Sequence, residues 1–206
     1  MIASKGLVSG AIAVTASIAA MGCGAQSAAF RHMSAVDHES AARVAQGDPA
    51  EAQEHLEAAK RLRDEEQVAC YGLSDSDRLQ GPFAHPNQIT NIAVVRDRVL
   101  LPRGPFVPVG VAVDLRAEQG MTQQWLGRVV ACHMSHIAVV GQDSQPSPLS
   151  VANTQVSVSS TSVGFRVKVT SHDRDIAQSV VNKGQELAES TYRQQGGGAV
   201  GMASIR

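Results

Sequence analysis

The sequence predicts an α+β protein, in which an N-terminal helical arm precedes a small ββαββα domain, equally described as a circularly permuted ferredoxin-like sandwich. Three observations point there. Residues 34–72 are rich in Ala, Glu, Gln and Arg and nearly free of β-branched residues, a composition that favours helix. Residues 88–192 carry two pairs of period-2 apolar segments, each pair followed by a helix-period segment. A ββα unit used twice buries its apolar faces most simply as one sheet with both helices on the same side.

The elements follow in order. In the arm, Gly47, Asp48 and Pro49 separate a short helix over 34–46 from a longer one over 49–70, with Asp48 as cap and Pro49 in the first turn. Leu56, Ala59, Leu62 or Arg63, Gln67 and Cys70 form a thin apolar stripe on the longer helix. His38 and His55 fall on different helices and are assigned to solvated faces. Residues 73–87 are a connector full of Gly, Asp, Ser and Pro. Strands are expected over 89–99 and 107–115, joined by the loop "LPRGP". A helix then starts at the cap Thr122 and stops at Gly141, with Trp125, Leu126, Val129, Val130, His133, Ile137 and Val140 inward. The stretches 154–160 and 164–170 alternate cleanly and form a hairpin through "TSVG". The last helix covers 173–192, capped by Ser171 or Asp173, and a flexible Gly-rich tail follows over 193–206.

Upstream of the arm, Lys5 precedes a small-residue apolar run over 6–21 that holds no acidic residue, the order of a secretory signal. The run is shorter than the ~20 residues a membrane-spanning helix needs. It ends in Ala20, Met21, Gly22 and Cys23, the pattern of a bacterial lipobox. Residues 1–22 are therefore expected to be a lipoprotein signal peptide, Cys23 the acylated first residue of the mature chain, and 23–33 a flexible tether. Gly24, rather than aspartate, follows the cysteine and predicts sorting to the outer membrane, facing the periplasm. The membrane is then a partner through the lipid on Cys23.

Without the leader, 17 basic residues face 19 acidic ones, which leaves no electrostatic footprint for nucleic acid. Among the three cysteines, Cys70 and Cys132 remain once Cys23 carries lipid, and two cysteines in an oxidising compartment most often pair. The competing use of Cys132 is chemical. Cys132, His133 and His136 lie within one third of a helix circumference, and with His85 and nearby methionines they form a soft donor set suited to Zn or Cu. No phosphate loop, G-x-S-x-G elbow, H-E-x-x-H pair or C-x-x-C motif is present, and the adjacent Ser171, His172 and Asp173 cannot form a triad because neighbouring side chains diverge.

The stretches "RLRDEEQVACYGLSDSDRLQGPFAH", "GMTQQWLGRVVACHMSH" and "VSSTSVGFRVKVTSHD" resemble those of a family of lipoproteins from myxobacteria and related delta-proteobacteria, over about half the chain. The matching positions are Cys70, Gly72, Asp77, Arg78, Pro82, Phe83, His85, Trp125, Leu126, Arg128, Cys132 and His133; the place of His136 is commonly arginine in that family. The resemblance implies a lipoprotein but transfers no activity. Function is thus expected to be that of an exported, lipid-anchored structural or interaction module of the cell envelope, with the helical arm as a surface for an envelope partner. The alternative is an envelope protein that binds Zn or Cu through Cys132, His133 and His136.

Overall fold

The structure, a computed structural model, describes residues 32–45, 47–98, 105–141 and 146–196. The leader, Cys23, most of the tether, Val99, most of the "LPRGP" loop and the tail beyond 196 lie outside the described residues. Helices α1 (Ala35–Val44), α2 (Pro49–Ala69) and α3 (Asp75–Gln80) precede strands β1 (Ile89–Arg98) and β2 (Phe106–Arg116). Helix α4 (Gln123–Val140), the hairpin β3 (Gln155–Ser160) and β4 (Gly164–Thr170), and helix α5 (Arg174–Gln194) complete the chain.

All strand pairs are antiparallel and the order is β1-β2-β4-β3. That is the order obtained by circular permutation of a ferredoxin-like sandwich, with β4 inserted between β2 and β3, the strands that flank α4. Alternation aligns the apolar residues in rows across the sheet: Ile92, Val113, Val167 and Val158 form one, and Val94, Val111, Val169 and Val156 the next. β-branched side chains opposite one another fill a pleated surface well. Leu126 and Val130 of α4 and Val180, Val181 and Leu187 of α5 close over this face. α5 approaches closely at Gly184, where a Cβ would meet Val111 Cγ1 at 2.6 Å.

The opposite sheet face carries polar rows. Arg166 donates to both carboxylate oxygens of Asp114, at 2.6 and 2.9 Å, and Asn91 donates to Asp114 at 3.1 Å. The Arg166 hydrogen bonds, opposed by burial and aided by Asn91, hold the Asp114 carboxyl below its usual range. A depressed carboxyl pKa contributes stability that is complete above the unfolded value of about 3.9 and drains as pH falls toward the folded value. Thermal melts between about pH 5 and pH 3 should therefore show a loss in the wild type that Asp114→Asn lacks.

The caps form as expected at Asp48, Thr122 and Asp173, and Gly141 ends α4 at φ 78°. Ser171 lies just ahead of the last cap, its hydroxyl accepting from the Asp173 amide at 3.1 Å, and α5 runs on to Gln194, past the predicted end. Three expectations need correction. The connector is not all loop: Ser74 caps α3 by accepting from the Asp77 amide, a Ser-x-x-Asp start that the surrounding turn residues mask. On α2 the inward face is His55, Ala58, Ala59, partly Leu62 and Glu66, and Cys70, whereas Leu56 is 48% exposed and Gln67 is exposed. The predicted stripe holds at Ala59, Leu62 and Cys70 and fails at Leu56 and Gln67, because the polar neighbours His55 and Glu66 take the inward places instead. Val140 is exposed and Val139 is buried instead, packed with Ala35 and Ala59, because α4 buries two sides, one on the sheet and one on the arm.

Candidate functional site

The end of α2, the connector and the middle of α4 meet around one covalent bond. Cys70 is the C-cap of α2 and Cys132 lies two turns into α4; a disulfide joins them across a sequence separation of 62, with Cα atoms 4.6 Å apart. Both residues are buried, at 3% and 0% exposure.

Side-chain contacts surround the bond on every side. His136 Nδ1 lies 2.6 Å from Glu66 Oε1, joining α4 to α2 one turn from the disulfide. The Arg128 guanidinium donates to the Tyr71 carbonyl, just past the end of α2. His133 is buried beneath Gly81: a Cβ on that residue would stand 2.6 Å from the imidazole, and its φ of 66° is itself a left-handed conformation that suits glycine. The connector can therefore lie flat on the ring only because position 81 has no side chain.

Of the four residues considered as metal ligands, Cys132 has its sulfur committed to Cys70, and His136 faces Glu66. His133 lies under Gly81, and His85 stands exposed on the rim of a separate cleft. Disulfide and thiolate ligation are mutually exclusive at Cys132. Among the described residues no group of three or more His, Cys, Asp or Glu side chains is placed to hold a metal ion.

The cleft is ≈ 380 Å³, between the connector and the first turns of α4. Trp125, Met121, Leu126 and Val129 form its apolar wall, while Asp77, Gln80, His85, Gln88 and Glu118 supply polar groups. Trp125 is the only tryptophan in the chain, so its emission reports this cleft.

A second assembly of histidines was not foreseen. His38 on α1 and His55 on α2 are buried, at 3% and 7% exposure, with their Nδ1 atoms 2.9 Å apart. Their assignment to solvated faces is thus overturned. The signal was available: Ala35, His38 and Ala42 recur at helical spacing on α1, and Ala52, His55, Ala59, Leu62 and Glu66 do so on α2. Treating alanine as a core residue exposes both stripes and places the histidines within them.

Comparison with known protein families, curated proteins and solved structures finds no match.

Proposed function

We propose that this is an exported, lipid-anchored protein of the bacterial cell envelope, attached through Cys23 and serving as a structural or interaction module. The observation that carries the reading is the buried Cys70–Cys132 bond, which suits an oxidising compartment, disulfides being rare where thiols are kept reduced. It agrees with the signal-like segment that ends at Cys23 and with the resemblance to the myxobacterial lipoproteins. Among the described residues no helix is long and apolar enough to cross a membrane, so in this proposal the lipid supplies the attachment.

The partner-facing part is the arm and its junction with the connector. Val68, Tyr71 and Leu79 are exposed by 78%, 81% and 71%, and they cluster in sequence around the disulfide that fixes the arm. Exposed apolar side chains beside a rigid covalent support are suited to protein contact.

The test is partitioning. Expressed in a bacterium with lipoprotein processing, the wild type should enter the detergent phase and begin at a diacylated Cys23, while Cys23→Ser should stay aqueous. Equal partitioning of the two, with a mature N-terminus elsewhere, would remove the lipid anchor from the proposal.

A further inference from the structure

We infer that the His38–His55 contact is a pH-operated latch, which holds α1 on α2 at neutral pH and releases it in mild acid. With the two Nδ1 atoms 2.9 Å apart, one must donate and the other accept, so a single proton fits between them. The donor ring can take a first charge at Nε2 with the bond intact, but a second charge makes both Nδ1 atoms donors, face to face in a buried site, and the pair can accept it only by separating.

The surroundings bias the pair the same way. On α2, His55 and Arg61 disfavour a charge on His38, while Asp37 on α1 favours one. Glu39 of α1 and Arg63 of α2 are paired with each other at 2.6 Å near the surface. α4 brings apolar contact to α1, through Val139 against Ala35 and Gly141 against the Ser34 cap. The titratable His136 of α4 faces Glu66, and Arg128 is held by Tyr71. Burial first, then His55, depresses the His38 pKa below its usual value. A histidine with a depressed pKa contributes stability that is complete above the unfolded value of about 6.5 and lost as pH falls below it.

The apolar contribution to holding α1 is small. Its buried apolar residues are Ala35 and Ala42, whereas Val36 and Val44 are 43% and 86% exposed. The released population grows up to about tenfold per pH unit while the open pair binds one proton more than the closed pair. The latch itself is independent of the lipid anchor. One consequence does rest on that reading: α1 lies between Cys23 and the body, and its ten residues, once extended, span about 33 Å.

Amide hydrogen exchange on the full-length protein in detergent, expressed as protection factors so that the chemical effect of pH is removed, decides the matter. Between about pH 7.5 and pH 5.5 the protection of α1 should fall at least about tenfold while that of α4 holds. His55→Gln, which cannot carry the second charge and leaves chiefly burial to disfavour a proton on His38, should lose clearly less α1 protection than the wild type across the same range. NMR titration of the two imidazoles in the wild type provides a readout that needs no variant. Flat α1 protection in the wild type, an equal fall in His55→Gln, or two rings titrating independently with no change in α1 would each overturn the latch.

Discussion

Reduction of the Cys70–Cys132 bond is expected to lower the melting temperature by about 10 °C and to open the arm to proteolysis. The crosslink spans 62 residues, for which the chain-entropy account gives roughly 4 kcal/mol; in a protein of this size each kcal/mol moves the midpoint by about 2–4 °C. The cluster that seats the arm contains Ala35, Ala59 and Val139 with Leu62 at its edge, and two alanines and one valine bury little area. Noncovalent docking is therefore weak, and the bond accounts for much of what holds α2 against α4. Melting and limited proteolysis with and without reductant, alongside the Cys70→Ser, Cys132→Ser double variant, measure this. A shift below about 2 °C with an unchanged cleavage pattern would mean that packing alone keeps the arm in place.

Gly110→Val is expected to be among the most damaging single changes in the sheet. Gly110 has φ 153°, and a Cβ built there would sit 2.0 Å from the Val169 carbonyl and 2.8 Å from the Thr170 Cα. Both obstacles are backbone in the adjoining strand, so no side-chain rotation relieves the overlap. Gly110 pairs with Thr170 at one end of the β2–β4 ladder and with Val95 on β1, where the register shifts. Accommodating the valine means separating the two central strands at that end, at a cost on the order of 4 kcal/mol or loss of folding. A urea titration followed by Trp125 emission reads the loss. Stability within about 1 kcal/mol of wild type would show that the sheet end rearranges freely.

The fold was legible because the strands announce themselves twice. Val109 to Leu115 alternates over four apolar residues, and the hairpin after Thr154 repeats the pattern, so period alone placed the sheet and turn chemistry placed its ends. The helices on it were bounded by caps whose side chains accept amide hydrogens as their residue types predict. Legibility ended where burial was assigned by residue type. Leu56 is large and points outward; His55, beside it, is polar and lies inside. A helix seated by alanines and paired histidines lacks the contrast that an apolar stripe provides, so the contacts His38–His55 and Glu66–His136 emerged only from the packing of the helices. The α3 turn was hidden for a related reason, since Ser and Asp favour both caps and loops and only the neighbouring structure selects between them.

The same disulfide also decides how the molecule carries load. Tension applied between the N-terminal side of α2 and the far end of α5 enters at Cys70 and crosses directly to Cys132, bypassing everything between them. The connector, β1 and β2 lie in that bypass and cannot be drawn out by pulling, which withholds on the order of 200 Å of contour length. Pulled by its two ends, the chain would thus stretch through α1, α2 and the C-terminal third, while β1 and β2, inside the closed loop, bear no strain along the chain.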